Sequence, residues 1–276
     1  MKQRVVLITG ASSGIGKAAA KLFAEKNYIT YATARRTETF VELQALGCQT
    51  LQLDVTDEAS MIAAVQEIEA KEGVIDILIN NAGYAQGDPL EELPMSELRR
   101  QFETNVFGLL RMSQLVLPAM RRQNWGRIIN ISSVGGEVSM PGAGAYTMSK
   151  YTVESLTDTL RFEVKSFGVQ VFSIQPESVA TNFGNAGTAS FSPSNPDSPY
   201  AKLMESLNGL LKGGNNEQPS GLSPERIAQV ILEAASKPHP RTRYKVGLLA
   251  NMMPRVRRLL PDHLWDQLLA TQFRMS

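Results

Sequence analysis

The chain reads as a single α/β domain built on a doubly wound parallel sheet of about seven strands, with helices on both faces. Three observations predict it. Short apolar runs alternate with helical patterns along the chain, and strict alternation implies parallel strands joined by right-handed crossovers. The runs are continuous, as in Val5-Val6-Leu7-Ile8, the pattern of strands covered on both faces. A glycine-rich turn follows the first run directly, where the strand ends of such a sheet hold a ligand.

The elements follow in order. After Val5–Ile8, the turn opens a helix from Ile15 to Glu25. Ile29–Ala34 mixes β-branched and small residues and is the second strand; Thr50–Asp54 is the third. Thr56 is placed to cap the next helix, whose first turn carries Asp57 and Glu58 at the positive end of the dipole. Ile62, Val65 and Ile68 recur along it every three residues. Ile75–Ile79 and Arg127–Ile131 are the fourth and fifth strands, with a long helical stretch from Ser96 to Arg122 between them. Gly144–Ser166 is a further long helix, and Val169–Ile174 the sixth strand. Ser223 caps a helix with Pro224 in its first turn, reaching Ser236. Tyr244–Leu248 supplies the seventh strand.

Two regions break this rhythm. Residues 184–221 are rich in Gly, Ser, Asn and Pro, yet Leu203, Met204, Leu207, Leu210 and Leu211 fall at helical spacing within them. A long insertion with an apolar stripe reads as a lid; the alternative is that these leucines pack only on the domain. From Pro254 the chain departs again. The expected division is a domain over 1–253, containing the 184–221 lid, and a helical extension over 254–276.

Composition narrows the classes of function. The 28 basic and 27 acidic side chains leave a net charge of +1, which argues against a general nucleic-acid binder. With 43% apolar and 20% charged residues, the chain can build a real core. One cysteine, Cys48, forms no internal disulfide, and His239 and His263 lack metal-ligand spacing, so no metal site is expected. No signal peptide and no run of about 18 apolar residues is found, so a soluble protein of the cytosol is expected.

The chemistry begins at the first turn, Thr9-Gly10-Ala11-Ser12-Ser13-Gly14-Ile15-Gly16. Glycines let the backbone approach a ligand, and a helix N-terminus offers free N–H groups to a pyrophosphate. The spacing is T-G-x-x-x-G-x-G rather than G-x-G-x-x-G. Further on, Tyr146 and Lys150 are four apart and so neighbours on one helix face. A nearby ammonium favours a phenolate, and a fall of about 3 pKa units would poise the phenol for acid–base work near neutral pH.

The glycine turn, Asn80-Asn81-Ala82-Gly83 after the fourth strand, Asn105, Ser133 thirteen residues before Tyr146, and Tyr146-Thr147-Met148-Ser149-Lys150 occur in that order. Over roughly Lys2 to Thr181 the chain thus resembles the short-chain dehydrogenase/reductase family. The resemblance implies hydride transfer between a nicotinamide cofactor and a carbonyl or alcohol, without a metal. It makes Tyr146 the proton donor in reduction and gives Lys150 the nicotinamide ribose and the tuning of Tyr146. Ser133 holds the substrate oxygen, and Asn105 a water that links Lys150 to solvent. Ser132 is the adjacent alternative to Ser133, on the opposite face of the strand; for Asn105 the alternative is a buried amide satisfied by backbone.

The resemblance also distributes the cofactor contacts. Gly10, Ser12, Ser13, Gly14, Ile15 and Gly16 cradle the pyrophosphate, Asp54 and Val55 the adenine, and Asn81, Ala82, Gly83, Tyr146, Lys150, Pro176 and Thr181 the remainder. The end of the second strand, Thr33-Ala34-Arg35-Arg36, carries no acid to bind a ribose diol. Arginines there accommodate a 2′-phosphate, so NADP(H) is expected, with Arg35 the first choice and Arg36 the second. Ser12 or Ser13 can add a hydroxyl.

The chain departs from the family at Pro176-Glu177, where glycine is usual after the proline; a carboxylate there either shifts the loop or faces substrate. The lid leucines, Met140-Pro141 and Phe183 suggest an apolar steroid-, retinoid- or lipid-like substrate. The strand end, lid and tail together resemble the 17β-hydroxysteroid/retinol dehydrogenase-like branch. Arg241, Arg243, Lys245, Arg255, Arg257 and Arg258 come with no acid among them, followed by Leu259, Leu260, Leu264, Trp265, Leu268 and Leu269. That tail can pack on the domain, cover the pocket, meet a partner subunit or lie on a membrane surface. A homodimer is expected by resemblance. Two other functions stay open: a nucleotide-binding regulator without turnover, and an NAD-dependent alcohol dehydrogenase.

Overall fold

The computed structural model describes residues 3–179, 197–212 and 221–273, apart from the side chains of residues 39 and 210–212. Seven parallel strands form one sheet: β1 (Val5–Ile8), β2 (Ile29–Ala34), β3 (Gln49–Gln52), β4 (Ile77–Asn80), β5 (Gly126–Ile131), β6 (Val169–Pro176) and β7 (Arg243–Val246). Their spatial order is β3-β2-β1-β4-β5-β6-β7. The order reverses between β1 and β4, where Val6 pairs with Ile77 and Ile8 with Ile79. At such a switch point the connections leave to opposite faces and open a crevice at the strand ends.

Helices α1 (Gly14–Glu25), α2 (Val41–Ala45), α3 (Glu58–Glu72), α4 (Met95–Phe102), α5 (Gly108–Arg122), α6 (Gly144–Val164), α7 (Ala201–Lys212), α8 (Pro224–Ser236), α9 (Leu248–Leu259) and α10 (Asp262–Gln272) complete the fold. Strand periodicity divides the core in two. Val6 and Ile8 face the layer containing Ala19, Phe23, Ile227 and Ile231 of α1 and α8. Val5 and Leu7 face the layer containing Met61, Ile68, Met112 and Val116 of α3 and α5. All four residues of β1 are buried, which is why its run has no polar alternation. Each such side chain contributes about 1.5–3 kcal/mol on burial.

The polar stitching of the sheet comes from one asparagine of the N-N-A-G run. Asn80 donates to Asn130 Oδ1 at 3.0 Å and Ser113 Oγ at 3.1 Å, and Asn130 donates to Thr157 Oγ1 at 2.9 Å. Two strands are thereby tied to α5 and α6.

Three local expectations are corrected. Asp57, rather than Thr56, caps α3, accepting from the N–H groups of Ala59 and Ser60; the Thr56 hydroxyl instead donates to Asp54 at 2.8 Å. The long helix after β4 is interrupted by a π-helical turn, Glu103–Phe107. Pro254 lies inside α9 rather than opening a new segment.

Candidate active site

The first wall of the crevice is the turn between β1 and α1. Gly10 has φ of +66°, and a Cβ there would lie 2.8 Å from the Ala82 Cα. Only glycine combines that dihedral with so close an approach. The Thr9 hydroxyl accepts from the N–H groups of Asn81 and Ala82, both at 3.0 Å, and Asn81 Nδ2 donates back to the carbonyls of Thr9 and Gly10. The β1 and β4 loops are thus locked together. Thr9 was not singled out in the sequence, although its place before Gly10 was the available signal. Ser13 is the N-cap of α1 and makes no side-chain cap bond, and the first turn carries no acid. Ser12 is half-buried and Ser13 exposed. The N–H groups of Gly14, Ile15 and Gly16 therefore begin a helix whose positive end is left to a ligand.

Arg35 and Arg36 stand exposed just past β2, and neither makes an ion pair among the described residues. The charge of Arg35 reaches the Tyr84 phenol, where it opposes the upward pull of burial. Asp54 uses Oδ1 to hold the Thr56 N–H and hydroxyl, and Val55 is buried beneath Gly108.

The second wall is α6 and the end of β5. Ser133 Oγ accepts from the Gly135 N–H at 3.1 Å, and a hydrogen bond joins Ser133 to the Tyr146 hydroxyl. Ser132 Oγ is buried on the other side, without a hydrogen-bond partner, so of the two serines it is Ser133 that meets Tyr146. Lys150 is buried and donates from Nζ to the Ile131 carbonyl at 2.8 Å, 5.7 Å from the centre of the Tyr146 ring.

The expected lowering of the Tyr146 pKa is reversed. Burial is the dominant cause and pushes the phenol up to about 12, with the Ser133 hydrogen bond pulling it down in part. Burial also lowers the Lys150 ammonium to about 8, opposed by the Glu154 carboxylate. The two shifts have one physical origin, the cost of charge in an enclosed site. They leave a neutral phenol beside an ammonium at neutral pH.

Glu154, one turn beyond Lys150, was missed by the sequence analysis, although its i+4 spacing was visible. It is buried and accepts from Arg243 Nε at 2.8 Å and from the Ser173 hydroxyl at 3.1 Å. Gly136 makes room for it: a Cβ there would meet Glu154 Cγ at 2.9 Å and the Lys150 carbonyl at 3.0 Å. Removing this charge as Glu154→Gln should let burial lower Lys150 further. The high-pH limb of the rate profile for reduction should then move to lower pH, because the ammonium is lost sooner as pH rises. A fall in amplitude with an unmoved limb would contradict this role.

Asn105 sits in the π-helical turn. Its Oδ1 accepts from the Tyr84 N–H at 3.1 Å, and its Nδ2 donates to the Tyr84 carbonyl at 2.9 Å and to Ser149 Oγ at 3.1 Å. These bonds fix the loop after Gly83 to α6.

Glu177 does not face a substrate. Its carboxylate accepts from the Leu249 N–H at 2.8 Å and caps α9. A Cβ on Gly247 would come within 2.1 Å of that carboxyl, so glycine at 247 is what lets the cap reach. Pro176 ends β6 and is buried. Thr181 and Phe183 lie outside the described residues, as do lid residues 184–196 and 213–220 and the side chains of Leu210 and Leu211.

Of the lid stripe, Leu203, Met204 and Leu207 are buried against Phe273, with Met140, Tyr200 and Leu269 at the edge of the cluster. The Ser198 hydroxyl donates to Glu92 at 2.7 Å and the Tyr200 hydroxyl donates to Glu91, fastening the start of α7 to the loop after β4. Met204 and Leu207 close over Gly142, four residues before Tyr146.

The profile of the family described as short chain dehydrogenase matches residues 4–190. The chain is 35% identical over 266 residues to the 3-ketodihydrosphingosine reductase of Bacteroides thetaiotaomicron, covering 96% of both chains. It is 33% identical over 275 residues to the NADPH-dependent 3-dehydrocapnine reductase of Ornithobacterium rhinotracheale, covering 96% of this chain and 95% of that one. A crystal structure of a short-chain dehydrogenase from Streptomyces avermitilis superposes with a TM-score of 0.84 at 33% identity, covering 99% of this chain and 97% of the other.

Proposed function

The chain belongs to the short-chain dehydrogenase family, and from that premise we propose that it is an NADPH-dependent reductase of a ketone carried on an apolar, lipid-like molecule. Membership makes it an oxidoreductase working between C=O and CH–OH. The cofactor, the substrate class and the roles of individual residues are our reading.

The observation that carries it is the hydrogen bond between Ser133 and Tyr146 beside the buried Lys150 ammonium. One substrate oxygen set against the two hydroxyls can accept from both. Tyr146, held neutral by burial, gives its proton to that oxygen as negative charge grows there, and Ser133 steadies the charge. Lys150 keeps a positive charge behind Tyr146, so that loss of its proton is less costly. Asn105 acts as a positioning residue, holding the Tyr84 backbone against α6.

The residues present fit a dinucleotide. The start of α1 is an uncapped helix end with no acid in its first turn, and the end of β2 carries two arginines that make no ion pair among the described residues. Gly10, Ser12, Ser13, Gly14, Ile15 and Gly16 would hold the pyrophosphate, Arg35 and Arg36 the 2′-phosphate, and Asp54 and Val55 the adenine. Asn81, Ala82, Gly83, Tyr146, Lys150 and Pro176 would hold the nicotinamide half. When bound, the cofactor supplies the hydride. NADPH is also the cofactor in the name of the Ornithobacterium relative.

For the substrate, two relatives are named for ketones, 3-ketodihydrosphingosine and 3-dehydrocapnine, and the flank next to Gly142 is apolar, with Met204 and Leu207 packed over it and Met140 half-buried at its edge. The test is matched loss of NADPH and formation of alcohol across a panel of long-chain ketones, with NADH in parallel. Equal use of the two nucleotides would contradict the cofactor assignment, and a preference for small polar ketones would contradict the substrate class.

A further inference from the structure

Helix α9 is amphipathic the wrong way round for a helix of a soluble domain. Its inward face is Ala250 and Pro254, both buried. Its outward face is apolar: Leu248 is 69% exposed, Leu249 52%, Met252 44% and Leu259 82%. Leu248, Met252, Arg255 and Leu259 fall at i, i+4, i+7 and i+11 and so share one stripe. Helix α10 follows α9 in the chain. It buries Trp265, as the chain does Phe273 just past its end, but exposes Leu264 and Leu268, one turn apart. Scattered exposed leucines are ordinary, whereas sets on two successive helices mark a contact surface.

Residues 241–258 hold six cations and no acid; Arg243, Lys245, Arg257 and Arg258 are paired with acids of other segments, while Arg241 and Arg255 make no ion pair among the described residues. Beside the start of α9 opens a groove of about 580 Å³, reaching Asn251 and lined by Arg226, Lys237 and Arg241 among others, with Glu233 its one acid. Those three cations are exposed and form no ion pair among the described residues. An apolar helix face rimmed by arginines suits the boundary between the headgroups and chains of a bilayer with anionic lipids. A second copy of the chain suits it less. A two-fold contact through the stripe would bring Arg255, set between Met252 and Leu259, against the same stripe of its copy, and like charges oppose such a contact.

We propose that the outward faces of α9 and α10 are a docking surface for a membrane carrying anionic lipids. The other face of α10 sends Leu269 and Phe273 into the cluster with Leu203, Met204 and Leu207. Docking would therefore set the α7 flank of the active site beside the bilayer. No helix among the described residues is long and apolar enough to cross a membrane, so the contact is peripheral. The inference does not rest on the carbonyl chemistry.

The experiment is co-sedimentation of the full chain with vesicles of phosphatidylcholine alone and of phosphatidylcholine mixed with phosphatidylglycerol, with analytical ultracentrifugation of the same samples without lipid. The mixed vesicles should bind the protein and plain ones should not, and binding should weaken as salt rises. Arg241→Gln and Arg255→Gln should each weaken it about fivefold. The combined exchange Leu248→Ser, Met252→Ser and Leu259→Ser should abolish it while circular dichroism stays native, since these side chains support no core. Absence of binding to mixed vesicles, or binding untouched by the triple exchange, would overturn the proposal. So would self-association that the triple exchange abolishes without any vesicle binding, which would make the surface an interface between copies.

Discussion

Replacing Tyr146 with phenylalanine should lower kcat/KM for ketone reduction by about 10²–10⁴-fold, the range for loss of a general acid, while NADPH affinity stays close to that of the wild type. The phenylalanine ring keeps the packing of Tyr146 beside Gly135, so the change removes a proton donor and a hydrogen bond and little else. Burial holds the wild-type phenol near 12, so the donor is almost wholly protonated at neutral pH. Reduction is then the direction the unliganded site is set for, and the reverse reaction, which needs phenolate, should gain as pH rises. Rapid-mixing kinetics with NADPH fluorescence for binding separates the two quantities. A rate that survives the exchange would move the proton source away from Tyr146.

The second large effect concerns Arg35. An Arg35→Asp variant should lose about 10–150-fold in kcat/KM with NADPH, the loss of a hydrogen bond to a charged group, and should gain with NADH because a carboxylate at the end of β2 can accept from a ribose diol. The change should fall mainly on KM, since a 2′-phosphate lies remote from the reacting carbon. Arg36→Ala should do less, because only Arg35 extends its charge as far as Tyr84. Steady-state kinetics with both nucleotides decides this. Unchanged preference in Arg35→Asp would mean that the 2′-phosphate, if bound, is held elsewhere.

The fold was legible where a single periodicity governs. The continuous run Val5–Ile8 could only be a strand covered on both faces, and the Ser223-Pro224 start of α8 was visible because a cap is a local signal. The glycine turn and the Asn80–Gly83 run were each legible as motifs, though their contact through Asn81 and the Thr9 hydroxyl was not. Interactions between distant segments escaped. Arg243 and Glu154 stand 89 residues apart, and no pattern in either segment points to the other. Glu177 stayed between two readings because its partner, Leu249, lies 72 residues further on. Pro254 looked like a boundary, since a proline inside a helix forfeits a hydrogen bond. Here it lies on the small inward face with Ala250, where α9 continues past it. The Tyr146 pKa was read in the wrong direction because spacing reveals a neighbouring charge but not the desolvation that outweighs it.

The central claim is that this chain moves hydride from NADPH to a ketone carbon with a proton from Tyr146. Deuterated NADPH, labelled at the transferable position of the nicotinamide, tests it most directly when the product alcohol of a long-chain ketone is examined by mass spectrometry. The account predicts one deuterium at the carbinol carbon with the wild type and almost none with Tyr146→Phe over the same interval. NADPH binding without label in any product, across ketones and aldehydes of every chain length tried, would contradict it and leave a nucleotide-binding regulator as the better description.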